Sequence, residues 1–147
     1  MTDNSPDSVR YFMAVFLAWF VSQVIKVIRG VVTQGRFNFR WLFDTGGMPS
    51  SHSATVAALA TVVGRYYGFN SMPFLITFVF AIMTMFDAAG VRRSVGRQAS
   101  ILNKMLDDLY QKGQVPETRL KELLGHTPFE VFAGASLGVL MSLVLCR

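Results

Sequence analysis

His126 and Glu130 stand four residues apart, the spacing at which a carboxylate on a helix holds an imidazole. An imidazole held this way can serve as nucleophile or general acid–base, because the carboxylate fixes its tautomer and orientation. The pair also has a plainer reading. Thr127 with Glu130 reads as a capping box, and Pro128 takes the first helical position. Both readings hold together, since a carboxylate has two oxygens. The second histidine, His52, ends the run Gly46-Gly47-Met48-Pro49-Ser50-Ser51-His52, a flexible turn leading into a helix start. Free backbone N–H groups there, the hydroxyls of Ser50 and Ser51 and the helix dipole suit a phosphate. The simpler alternative is Ser50 as an ordinary N-cap.

Four cations complete the set. Lys26 and Arg29 are three apart and share a helix face. Buried together they repel unless an anion sits between them, whereas snorkelling toward lipid phosphates needs no site. Arg92 and Arg93 follow an apolar run, where stop-transfer charges are routine. As neighbours they point different ways, so the sequence leaves open which one faces a site. Asp87, just before them, is an ion-pair partner or a second acid. No short-range ligand spacing joins Asp87, His52, His126 and Glu130, so neither a metal nor a cofactor is expected.

The elements that must position these residues are apolar runs. Hydrophobic residues make up 52% of the 147, and charged ones only 16%. Mean hydropathy is +0.39, which excludes a disordered chain. One domain is expected. The single cysteine, Cys146, excludes an internal disulfide framework and a cysteine zinc site. Formal charge is +5; with this apolar excess the basic balance points to a membrane surface rather than to nucleic acid. The reading is an all-α, polytopic membrane helical bundle in one domain. Four spans fall at about 11–33, 50–67, 72–91 and 128–146, with a cytoplasmic amphipathic helical insert at about 92–126. A soluble four-helix bundle would need a polar face on every helix, and residues 74–86 show only two threonines. The polar start, with Asp3 and Asp7, lacks the basic opening of a secretory signal, so the first run is kept as a span. Within the insert, Val95, Ile101, Leu102, Met105 and Leu109 approximate one helix face. A break at 113–116 and a second short helix at 117–124 follow. Gly134-x-x-x-Gly138 allows close helix approach, within the chain or in a homodimer; packing within the chain is favoured.

Four spans place loops one and three on one side. Arg36, Arg40, Arg92, Arg93, Arg97, Lys104, Lys112, Arg119 and Lys121 lie there, against Arg10, Arg65 and Arg147 on the other. The positive-inside rule makes the first side cytoplasmic and leaves both termini outside. Both histidines and most membrane-edge charges then meet at the cytoplasmic face, at a depth where ionisable groups are costly and usually functional.

In this order, Lys26, Arg29, Pro49-Ser50-Ser51-His52, Arg92-Arg93 and His126-x-x-x-Glu130 resemble the signature of the type 2 phosphatidic acid phosphatase superfamily, which also contains the vanadium-dependent haloperoxidases. Gly46 to Ala54, Asp87-Ala88-Ala89-Gly90-Val91-Arg92-Arg93 and Leu124-Gly125-His126-Thr127-Pro128 are similar to its divergent small membrane branch. The resemblance implies that His126 attacks phosphorus, Glu130 orients it in place of the family's aspartate, and His52 protonates the leaving oxygen. Lys26, Arg29, Ser50, Ser51, Arg92 and Arg93 would bind the phosphoryl group. Ser51 stands where the superfamily has glycine, Gly30 where it has proline, and the stretch between Arg93 and His126 is unusually long. The implied activity is hydrolysis of a lipid or isoprenoid phosphomonoester or diphosphate. The alternatives are a non-catalytic phospholipid- or anion-binding or transport protein, and an assembly factor acting through the insert.

Overall fold

The computed structural model describes residues 6–35, 47–111 and 125–146. These form helices α1 (Pro6–Gln34), α2 (Ser51–Tyr67), α3 (Met72–Phe86), α4 (Arg92–Gln111) and α5 (Pro128–Leu145), with a π-helical turn (Asp87–Val91) between α3 and α4. The described residues contain no strand, and the fold is an all-α bundle. Three helical stretches are long and apolar enough to cross a membrane: Ser8–Thr33, Met72–Asp107 and Pro128–Leu145.

α2 is shorter than these stretches and less apolar, and it holds the centre of the bundle. It packs against α1, α3 and α5 and is the element all three share. Most of its buried positions are small, Ser51, Ser53, Ala54, Ala57, Ala58, Ala60 and Gly64 beside Val56, Thr61 and Val62. A helix enclosed by protein needs no apolar exterior of its own. At 17 residues it is about 26 Å long, close to the thickness of a bilayer core.

The packing is inverted relative to a water-soluble bundle. Large side chains point outward, among them Phe12, Phe20, Ile76, Phe80, Met83, Phe132 and Val144. Small and polar ones fill the interior, among them Ala14, Ala18, Ser22 and Ser142. Lipid gives no hydrophobic drive to bury leucines, so helices associate where small residues let backbones touch. Threonines along the helices return their hydroxyls to their own backbone: Thr61 donates to the Ala57 carbonyl at 2.8 Å and Thr84 to the Phe80 carbonyl at 2.8 Å. That satisfies them without water.

The Gly134-x-x-x-Gly138 stripe faces α2. A Cβ at Gly134 would strike the Ser50 carbonyl, and one at Gly138 the Ala54 carbonyl. Ser142 continues the same stripe and donates to the Ala58 carbonyl at 3.2 Å. The stripe therefore serves contact within the chain.

The expected span 72–91 and insert 92–126 join without a break. α3 runs through the π turn directly into α4. The face of Val95, Ile101, Leu102, Met105 and Leu109 is exposed, while Ala99 and Asn103 are buried. The break at 113–116, the helix at 117–124 and, from the first inter-span loop, Arg36, Arg40 and Gly46 lie outside the described residues.

Gly138→Leu should separate α5 from α2 and lower the thermal unfolding midpoint in detergent, at a cost of at least about 1–3 kcal/mol from overpacking. Leu140→Ala, on the lipid-facing side of the same helix, should change stability by no more than about 0.5 kcal/mol. Equal midpoints for the two variants would contradict this packing.

Candidate functional site

The bundle alternates direction, which sorts its ends. At one end Tyr11 meets Tyr66, with ring centroids 5.4 Å apart, and Cys146 packs with Ala14 and Val62. The other end gathers Lys26, the start of α2, the π turn and the start of α5.

Lys26 reaches this end by helix geometry. Ala14, Ala18, Ser22 and Lys26 recur every fourth residue and form the buried ridge of α1. Lys26 is 7% exposed, and the space beside Gly47 lies against its aliphatic stem. Arg29 leaves the ridge and is exposed; its carbonyl accepts the Thr33 hydroxyl at 2.8 Å. The two cations are thus not buried together.

Ser50 is the N-cap of α2. Its hydroxyl oxygen accepts from the Ser53 N–H at 3.4 Å and the Ser53 hydroxyl at 3.0 Å. Its own N–H donates to the Glu130 carbonyl at 3.1 Å, tying the starts of α2 and α5 together. Ser50 and Ser51 are both buried, and His52, one residue on, is half-buried.

The π turn decides between the two arginines. Residues five apart lie about 140° apart around a regular α-helix. The wider turn brings Asp87 and Arg92 side by side, and Arg92 Nε donates to Asp87 Oδ2 at 3.0 Å. Arg92 is the arginine whose charge acts on both imidazoles, as does that of Lys26. Arg93 instead presents its backbone to Gly125, where any Cβ would collide with it. That close approach lets the His126 N–H donate to the Ala88 carbonyl at 3.0 Å.

His126 is the centre of the arrangement, with 2% exposure. Its Nδ1 lies 3.3 Å from Glu130 Oε2. An ionised carboxylate only accepts, so Nδ1 carries the proton and Nε2 keeps its lone pair. Nε2 is buried with no hydrogen-bond partner. The capping box is present as well. Thr127 N–H donates to the same Oε2 at 2.8 Å, and Glu130 N–H donates to Thr127 Oγ1 at 3.3 Å. One carboxylate oxygen therefore serves both roles, where two had been expected to share them. Burial pushes the His126 imidazole below its ordinary value of 6.5. The hydrogen bond and charge of Glu130 oppose that shift, and the charges of Lys26 and Arg92 add to it. The imidazole is held neutral near pH 7.

Sequence reasoning missed Gln23. It is buried one turn before Lys26, with its Oε1 unpartnered. Its spacing of three from Lys26 was the available signal. The π turn left no signal in composition or periodicity. Among the described residues, no cluster of three or more histidine, cysteine or acidic side chains is arranged to hold a metal.

The family description "Divergent PAP2 family" matches residues 8–141. The chain belongs to the divergent PAP2 family. Over 135 residues it is 44% identical to a protein of Bacillus subtilis (strain 168) named "Uncharacterized membrane protein YuiD", covering 84% of this chain and 85% of that relative. No solved structure matches the chain. The match spans the whole cluster, from Lys26 to Glu130, and membership supports a phosphatase-like membrane protein.

Glu130→Gln keeps a capping residue but removes the charge. Histidine NMR should then show His126 titrating lower still, because the carboxylate is what holds its value up. An upward shift would contradict the assigned contact. The folded value lies below that of the unfolded chain, so the unfolded chain takes up the proton first as pH falls past 6.5. The contribution of His126 to stability is complete above pH 6.5 and is lost as pH falls through the folded value.

Proposed function

We propose that this protein is a membrane phosphatase acting on a phosphomonoester or diphosphate carried by a lipid or isoprenoid. The observation that carries the reading is His126. Its Nδ1 is held by Glu130, its Nε2 is buried without a partner, and Lys26 and Arg92 stand close enough for their charges to act on it. A buried, unpaired acceptor beside two cations suits the arrival of an electrophilic anion.

The Nε2 lone pair attacks phosphorus and an N–P bond forms. The P–O bond to the leaving group breaks, and protonated His52 delivers its proton to that oxygen. Glu130 stabilises the cationic phosphoimidazole. Water then attacks phosphorus and gives a proton to His52, and the N–P electron pair returns to Nε2. Lys26 and Arg92 hold the non-bridging oxygens throughout, a preorganised electrostatic contribution. Ser50 and Ser51 shape the helix start beside His52. Arg29 stands further out and, with Arg93, steers the anion. Asp87 holds Arg92 in place until the anion arrives. An apolar tail places the substrate headgroup at this depth of the bilayer. The distribution of basic residues supports a cytoplasmic motif face in a bacterial inner membrane, with both termini outside.

The test is phosphate release by the purified protein in detergent, from phosphatidic acid and from isoprenyl mono- and diphosphates. His126→Ala should lower turnover on the order of a thousandfold, and acid-labile phosphate should label wild type but not the variant. Turnover that survives the substitution rejects His126 as nucleophile. Tight binding of the same lipids with no turnover in wild type supports instead a non-catalytic anion-binding protein.

A further inference from the structure

The buried Nε2 of His126 poses a question of access. A phosphoryl group must reach it, and a lipid phosphate arrives from the side with its tail in the bilayer. The π turn has two faces. On the inner face, the Ala88 carbonyl accepts the His126 N–H, and the charge of Arg92 acts on both imidazoles. On the outer face lies an open groove of about 760 Å³. Its lining is mostly apolar, from Met83, Phe86, Val91 and Val95, and also includes Asp87, Gly90, Ser94 and Gln98. These positions recur every three or four residues, so the groove follows one face of the continuous α3–α4 helix across the motif depth.

Asp87 belongs to both faces. It borders the groove and binds Arg92, and the two side chains are 46% and 43% exposed. A half-exposed ion pair contributes little stability, so exchanging the carboxylate for a phosphate on Arg92 costs little. The groove therefore leads from lipid to the partner of a cation whose charge already acts on the histidines. Charge complementarity selects its occupant: a lipid with an anionic phosphate head has a partner in Arg92, and a neutral lipid has none.

We propose that the groove on the outer face of the π turn is the tail-binding and entry site for a single phosphorylated lipid, whose phosphate takes Arg92 from Asp87 as it passes to His126. The inference rests on the phosphatase reading for its final step but not for its first. Both an acyl chain and an isoprenyl chain fit these walls by chemistry, and the experiment separates them.

Gly90 provides the probe. It is helical, and a Cβ there meets nothing within 4 Å, so Gly90→Leu fills the groove without disturbing the bundle. The full-length protein in nanodiscs is exposed to a farnesyl monophosphate, and separately to a phosphatidic acid, each with a diazirine in its tail. After irradiation, adducts are mapped by mass spectrometry. Adducts are expected on Met83, Phe86, Val91 and Val95 with at least one of the two probes, and the stronger arm identifies the tail. Gly90→Leu should lower that labelling at least tenfold. The same variant should raise KM for the lipid phosphate at least tenfold while leaving the thermal unfolding midpoint in detergent unchanged, which reports intact folding. Labelling spread equally over the lipid-facing side chains of α1 and α5, or unaffected by Gly90→Leu, overturns the proposal. Groove labelling that persists in a protein without phosphatase activity upholds the entry site and removes the catalytic reading. Phosphatase activity without groove labelling does the reverse.

Discussion

In the interior of this bundle backbone touches backbone. The Ser50 and Ala54 carbonyls occupy the space where side chains on Gly134 and Gly138 would stand. α2 and α5 can approach this closely only because α5 carries no side chain at either point. The Ser50 N–H then reaches the Glu130 carbonyl, and the two helix starts become one structural unit. His52 sits two residues past Ser50, and His126 two residues before Pro128. Their nearness follows from that contact and not from any attraction between two imidazoles, which repel when charged. Spreading α2 from α5 would scatter the cluster without touching either imidazole.

The bundle meets the bilayer by inverting the usual arrangement, with phenylalanines outside and alanines and serines within. This leaves interior volume for polar groups near the helix ends, where a charge is less costly than at mid-membrane. Lys26 is carried there by the same ridge that packs Ala14, Ala18 and Ser22. Its burial follows from helix phase, and Arg29, off that phase, stays outside. Two basic residues three apart thus meet different environments.

Glu130 carries three tasks. It caps α5, holds the His126 ring and, through its carbonyl, anchors α2. Such concentration makes the site rigid, since the hydrogen bonds that build the helix start also fix the tautomer. The π turn is the complementary device. It rotates Arg92 onto Asp87 and toward the imidazoles, and turns the backbone of Arg93 against Gly125. A regular helix would leave Asp87 and Arg92 on different sides.

The all-α membrane class and the apolar stretches of α1, α3 and α5 were legible in the sequence, because hydropathy over twenty residues is a local property that lipid enforces directly. The capping box was legible for the same reason: Thr127, Pro128 and Glu130 act within one turn. The grouping of Lys26, His52, Arg92 and His126 at one end followed from counting spans. What the sequence could not determine is which side chains turn inward. The exposure of Arg29, the choice of Arg92 over Arg93 and the burial of Gln23 depend on helix phase and on the π turn, which are set by contacts between distant segments. The same holds for α2, which the sequence offered only as one span among four. Its central place follows only once three other helices enclose it, because enclosure is a property of neighbours and not of the segment itself.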